Sequence, residues 1–345
     1  MNDRRRYLAR ACQLALTGST AGWLGGGVQA ATPRRVAIAV PGPGNLLYLP
    51  VTLASKIGAD QAEGLELDIR YVSGGPMAFK NMQDRNVDFA AGGLPALALQ
   101  RLSGNPFVCI VPTSRVPAYT LLVRSGLKGR VKKIADLKGR VIGGKGHVPG
   151  GRSTSQLITE YVLGLSGVTP TMANFVSVGQ AYDSQHAALA SGTVDAIMGD
   201  EPFATRLVKE KTAFALADYH DLDATRKLLG GLFLNGHIAT REGYITSHPE
   251  VVEKVVRTLK RTLVWIDQHT AREMVDALGL SDPAERTALL DVLKIRKNIY
   301  SPDGRISDEQ VASVDRFFHA TETSEAARAF SMKSLINARW AGSMA

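Results

Sequence analysis

Residues 141–154, VIGGKGHVPGGRST, bring together the residue types that a small-anion seat requires. A short apolar run, Val141-Ile142, stops at a glycine-rich turn, and Pro149, Gly150 and Gly151 lead into Arg152, Ser153 and Thr154 and the helical pattern SQLITEYVLGL. Ser153 and Thr154 suit the N-cap of a helix. A helix start leaves backbone N–H groups without partners and carries about half a positive charge. Gly150 and Gly151 let a ligand approach that backbone closely, and Arg152 offers a planar two-pronged donor to an oxyanion. The plainer alternatives are a strand-to-helix turn that holds nothing and an arginine in water. Because the dipole disfavours a cation at a helix start, the placement of Arg152 leans toward a binding role.

Other chemistry finds little support. Gly146–Ser153 nearly fits a phosphate loop, with Arg152 where that pattern requires lysine, and 196–201 can pass for a magnesium-binding strand end. An exported chain meets little ATP, so this reading is set aside. No serine–histidine–aspartate arrangement and no His-x-x-x-His metal spacing stands out, so no catalytic residue, metal or cofactor is assigned. His147 in its Gly/Pro loop reads more simply as solvated, and Lys145 and Arg115 as rim charges.

At 345 residues the chain can build two cores, and 21% charged with 45% apolar residues is ordinary for a globular protein. The formal charge of +9 includes +3 from residues 1–30, where Arg4, Arg5, Arg6 and Arg10 outweigh Asp3, leaving +6 elsewhere. That excess suits anionic ligands, and it is not gathered into the basic, aromatic-laced runs that nucleic acid requires. Residues 1–30 read as an export signal: a basic start, a mildly apolar stretch 11–28, then Val28-Gln29-Ala30 before Ala31 as the cleavage site. Arg4-Arg5-Arg6-Tyr7-Leu8 resembles the twin-arginine export motif. Cys12 precedes the apolar stretch, so it is badly placed for lipoprotein processing. Cys109 alone would remain, unable to form an internal disulfide. No later segment approaches eighteen apolar residues, so a soluble periplasmic protein is expected.

The elements that position the turn repeat. Strands are predicted at 35–40, 65–72, 87–90 and 107–111, with helices at 46–62, 75–84 and 94–102 between them. The pattern recurs as strands 140–142, 174–178 and 194–198 with helices 153–165 and 181–191. Val87-Asp88, Gly92 and Pro95 match Val194-Asp195, Gly199 and Pro202 at a spacing of 107 positions. Asp88 and Asp195 read as structural, making turn hydrogen bonds. Extended segments at 119–124 and 236–241 join the halves, and helices at 251–268, 271–278, 283–294 and 307–321 form a tail that packs back on the first half. Two α/β lobes result, with a shared cleft at the carboxyl ends of their sheets.

Taken together, the residues resemble the substrate-binding proteins of ABC importers for nitrate, sulfonate, taurine and thiamine precursors. The resemblance covers about 34–320 and is carried by Leu49-Pro50, Glu63-Gly64-Leu65, Val87-Asp88-Phe89-Ala90, Ile134–Arg140 (IADLKGR), Leu189–Asp195 (LASGTVD), Glu201-Pro202-Phe203-Ala204 and Ala239-Thr240-Arg241 before His248-Pro249-Glu250. It implies an α/β, two-lobed type II periplasmic-binding-protein fold, each lobe a mostly parallel sheet flanked by helices, with a two-strand hinge. Lobe 1 would be 31–120 plus 240–345 with the C-terminal helices, and lobe 2 would be 121–239. Carried over position by position, the pocket would be lined by Gly44 and Asn45, by Gly92, Gly93 and Leu94, by Gly150, Gly151, Arg152, Ser153 and Thr154, by Asp200 and Glu201, and by His237. Many relatives carry an aromatic residue where Asp200 stands, so a stacking wall is missing.

The implied function is a monomeric, non-enzymatic receptor that closes on a small solute and hands it to an ABC permease in the inner membrane. An oxyanion-bearing solute (sulfonate, nitrate, carboxylate or related) fits the helix starts, and Asp200 and Glu201 leave room for an amino group. The alternative is a same-fold enzyme or sensor module binding a thiamine-pyrimidine-like molecule. Those synthases use a cysteine-rich iron motif that Cys12 and Cys109 cannot supply.

Overall fold

A computed structural model describes residues 32–144, 151–219 and 221–342. The export-signal reading of 1–30, Lys145, His147 and Gly150 lie outside the described residues.

In chain order, β1 (Arg34–Pro41) leads through a tight turn to α1 (Leu49–Lys56), then β2 (Leu65–Val72), α2 (Gly75–Gln83), β3 (Phe89–Gly93), α3 (Leu94–Leu102) and β4 (Phe107–Pro112). The chain crosses to β5 (Tyr119–Arg124), then β6 (Val141–Gly144), α4 (Thr154–Leu165), β7 (Asn174–Ser177), α5 (Tyr182–Ser191), β8 (Ala196–Asp200), α6 (Phe203–Lys209) and β9 (Ala213–Tyr219). After α7 (Leu222–Leu229) it crosses back into β10 (Gly236–Arg241). The rest is helical: α8 (Glu242–Ser247), α9 (Pro249–Gln268), α10 (Ala271–Leu278), α11 (Pro283–Arg296), α12 (Asp308–Thr321) and α13 (Glu325–Arg328). Among the described residues no helix is long and apolar enough to cross a membrane.

As the sequence predicted, there are two mostly parallel sheets, ordered β2-β1-β3-β10-β4 and β7-β6-β8-β5-β9. In each, four strands run one way, and the fifth is the strand that arrives from the opposite half, antiparallel to both neighbours. The segments 119–124 and 236–241, expected as connectors, are therefore interior strands. The crossings proper are 113–118 and 221–235, and they run side by side: Phe233 N–H donates to Arg115 O at 2.9 Å and Asn235 Nδ2 to Pro117 O at 3.0 Å.

The internal repeat is real at the level of pairing. β3 and β8 occupy the same place in their sheets, 107 positions apart. Asp88 accepts from Ala37 N in β1 at 3.4 Å, and Asp195 accepts from Val141 N in β6 at 3.2 Å. Both aspartates are strand ties, in keeping with a structural role.

Apolar alternation along β5 shows how each sheet is covered. Leu121 joins the main core with Ile142 and Leu157, whereas Leu122 faces the opposite side with Leu189, Ile197 and Leu207. The helix expected over 46–62 is broken, because α1 ends at Lys56 and Gly58 takes a left-handed φ of +71°. Asp60 then gathers Ser55 Oγ, Gln61 N and Leu67 N around its carboxylate. The tail does not pack on one half alone. α9 and α10 lie on α1, while α11 touches α6 and α12 touches α4 and α7.

Candidate functional site

The carboxyl ends of both sheets and the helix starts that follow them meet at one enclosed cavity. Its walls are Pro41, Asn45, Tyr48, Gly75, Gly93 and Ala96 from the first half, Tyr119 from the first crossing into β5, and Ser153, Thr154, Ser155 and Gln180 from the second half. Pro at the second position of α2 and α3 suits a first turn, where a missing N–H costs no helical bond. Ser153 caps α4 by accepting from Gln156 N at 3.2 Å, and Asn45 caps its own short turn by accepting from Leu47 N at 2.9 Å. Three helix starts, of α2, α3 and α4, therefore border the cavity, each with amides that the helix cannot satisfy.

The two halves touch here directly. The Ala96 amide, in the first turn of α3, donates to Thr154 Oγ1 at 3.4 Å, and Leu46 N donates to Glu201 O at 2.8 Å. Gly93 makes the approach possible: a Cβ there would stand 2.1 Å from Thr154 Oγ1. The space left for water-molecule centres is about 20 Å³, enough for about one water.

Electrostatically the described wall is a cluster of donors: among the described residues, no lysine or arginine lines the cavity. Tyr48 and Tyr119 are buried, and desolvation, reinforced in both by the nearby Asp200 carboxylate and in Tyr119 by Tyr48, pushes both phenols well above their ordinary value. They stay protonated and able to donate. Gln180 Nε2 donates to Asp200 Oδ2, holding that buried carboxylate behind the wall.

The structure gathers Asn45, Gly93, Ser153 and Thr154 of the expected residues in this wall. Leu94 is buried and its amide donates to Asn235 O at 3.1 Å; Gly151 is buried beside the start of α4 without lining the cavity. Asp200 and Glu201 are buried just behind it, and Glu201 Oε2 accepts from Thr205 N at 3.2 Å in the first turn of α6.

Four expectations are corrected. Arg152 turns away: Nη1 donates to Glu160 Oε2 at 2.8 Å and Nη2 to Glu322 Oε1, so its guanidinium is committed to two carboxylates. His237 is fully buried in β10, stacked on Phe79 with ring centroids 6.1 Å apart. Gly92 serves the same packing, since a Cβ there would lie 2.3 Å from the Phe79 ring. Gly44 faces Phe203 of α6 and Glu285 of α11, not the cavity. Tyr48, Tyr119 and Gln180 were not anticipated; Tyr119 opens the YTLLVR run and Gln180 ends a strand-to-helix link, but no motif marks them.

The Arg152 geometry predicts a stability effect in place of a binding effect. Arg152→Ala takes the cation from two carboxylates whose side chains are only 10% and 15% exposed, and leaves Glu160 only its bond from Gln156 Nε2 at 2.9 Å. Removing a fully buried partner costs about 3–5 kcal/mol; partial exposure reduces this to about 1–2 kcal/mol. Urea unfolding should show that loss, with solute affinity changed less than about threefold, a few tenths of a kcal/mol.

A family profile described as NMT1/THI5 like matches residues 48–272. A solved structure from Bordetella bronchiseptica RB50 is similar at 25% identity, with 90% of this chain and 94% of that one covered and a TM-score of 0.78. The alkanesulfonate-binding protein SsuA of Xanthomonas axonopodis pv. citri, bound to MOPS, is similar at 19% identity, 84% and 94% coverage and a TM-score of 0.65. The periplasmic nitrate-binding protein NrtA of Synechocystis PCC 6803 is similar at 12% identity, 85% and 84% coverage and a TM-score of 0.67.

Proposed function

We propose, from the premise that this chain belongs to the NMT1/THI5-like family, that it is the solute-binding receptor of an ABC importer. In this reading it is exported to the periplasm, cleaved near Ala30-Ala31, and acts as a monomer that delivers a small oxyanion-bearing solute to an inner-membrane permease. The moving bodies are the half that holds β1–β4 and β10 and the half that holds β5–β9, rotating about the paired crossings.

One observation carries the reading: a single cavity receives helix starts from both halves and, among the described residues, is lined by hydroxyls and amides with no cation. An oxyanion there accepts from first-turn amides, from the Tyr48 and Tyr119 phenols and from Ser153–Ser155. Charge neutralisation comes from dipoles, with no guanidinium needed. A sulfonate-binding and a nitrate-binding protein among the similar structures share that ligand chemistry. Beside these phenols, Gln180 and the carboxylate of Asp200, the strand partner of Tyr119, favour a donor, such as an amino group, on the solute. No bond in the solute needs to be made or broken.

The cavity, with about 20 Å³ for water centres, is too small for a solute of about ten heavy atoms, since a single water needs about 10–15 Å³ on that measure. Entry therefore requires the halves to part, and closure then excludes water and strengthens each polar contact. Selectivity follows from buried donors that a wrong solute leaves unpaired.

A thermal-shift screen with sulfonates, nitrate, small carboxylates and pyrimidines tests this. A ligand at a hundred times its Kd adds about 2.7 kcal/mol by mass action. An oxyanion is expected to raise the melting point; a shift by pyrimidines alone would defeat the oxyanion reading.

A further inference from the structure

Behind the crossings, away from the interlobe cavity, lies a second cavity of about 430 Å³, within the range of small-ligand pockets. Its walls include Arg115 of the first crossing, Leu232 of the second, Ser301 and Arg305 of the loop before α12, and Ser307 and Gln310 at the start of α12.

Two buried donors on this wall have no partner. Gln310 is 2% exposed, and its Nε2 makes no hydrogen bond. The amide cannot be turned over to cure this, because Oε1 already accepts from Ser307 N at 2.9 Å in a capping box. Arg115 donates through Nη2 to Asn298 O at 2.6 Å, while its Nε is buried and unpaired. Buried donors without acceptors are rare because each has lost water and gained nothing. Arg115 has a further deficit: burial and the Arg226 charge push its pKa down, against the smaller opposing effects of Asp267 and Asp303. Asp303 and Asp308 also line the cavity, so its formal charge balances against Arg115 and Arg305. Asp303, however, is turned to its own loop, accepting from Arg305 N at 3.0 Å and Ser301 Oγ at 3.4 Å. What the wall lacks is an acceptor shared by Arg115 and Gln310.

We propose that this cavity is a second binding site, for a small oxyanion of the carboxylate or phosphate type, held by Arg115 Nε and Gln310 Nε2. Its place has a consequence. Arg115 N–H donates to Ile299 O at 2.7 Å and its carbonyl accepts from Phe233 N, so the residue joins both crossings to the tail. An anion seated there bears on the segments that must bend when the halves part. Any preference it has for one conformation is returned as a change in solute affinity by the same factor.

The test is a titration of the ¹⁵N-labelled chain with malonate, and separately with inorganic phosphate, following the Arg115 Nε–H and Gln310 side-chain amide signals. Both are expected to shift and saturate together with at least one of the two probes. Gln310→Glu keeps the capping box but replaces the free donor with a carboxylate, and should weaken binding about tenfold or more. Arg115→Lys keeps the charge but removes Nε and the fork, and should weaken it comparably even if Gln310→Glu fails to fold. No saturable shift with either probe, or either folded hinge variant titrating like the wild type, would overturn the proposal.

Discussion

Gly93→Ala is expected to cut solute affinity by about a hundredfold or more, ~2.7 kcal/mol, while both sheets still fold. The added Cβ would stand 2.1 Å from Thr154 Oγ1 and 2.6 Å from Thr154 Cβ, taking up the space between α3 and α4 that the solute must enter. The conflict lies between the halves, and parting them relieves it. The new methyl also meets Asn235 Oδ1 of the second crossing, at 2.6 Å, on a side chain tied through Nδ2 to Pro117 O. Local strain of that kind costs about 1–3 kcal/mol of stability. Thr154→Gly removes both opposing atoms, so the double variant should recover part of the lost affinity. Titration calorimetry with a solute found by thermal shift reads all three variants. A Gly93→Ala chain binding within threefold of wild type would show that the solute is held elsewhere.

The second large effect is on acid stability. His237 is buried neutral between β3 and β4, and desolvation lowers its pKa from 6.5 to about 4. The unfolded chain takes up this proton at about pH 6.5, and the folded chain only near 4. Stability from this group is therefore complete above pH 6.5 and falls as pH drops toward 4, at about 1.4 kcal/mol per unit. The total reaches about 3 kcal/mol. His237→Asn removes the titration, so urea unfolding from pH 7 to 4 should show the wild type losing about 3 kcal/mol more than the variant. Parallel curves would contradict the assignment of this histidine to the core.

What could be read from the sequence followed local rules. The runs 65–72, 119–124 and 236–241 fold as strands with those bounds, because apolar alternation and flanking turns are local signals. Ser153 was legible as a cap, and Gly93 as the turn before Pro95, since capping chemistry is written within a few residues; Thr154, read as a second cap, is instead the first residue of α4. Arg152 misled for the opposite reason: Glu322, one of its partners, is 170 positions away. A charge beside a helix start looks like a ligand contact until a distant carboxylate claims it. His237 and Gly92 misled together, because their shared packing against Phe79 exists only after β3 and β10 pair. β9, α6 and α7 were not predicted. The burial pattern of β9 does not alternate cleanly, which left no period to read. Tyr48 and Gln180 reach the cavity through tertiary placement alone.

The central claim is that the wall formed by Asn45, Gly93, Tyr119 and Thr154 is where a solute is held. A crystal structure of the chain with the solute that most raises its melting point tests it most directly. The account predicts that molecule enclosed between the starts of α3 and α4, its oxyanion within hydrogen-bond distance of first-turn amides and Arg152 still paired with Glu160 and Glu322. A solute seated on any other surface, with Gly93 and Thr154 in contact and nothing between the sheets, would contradict it.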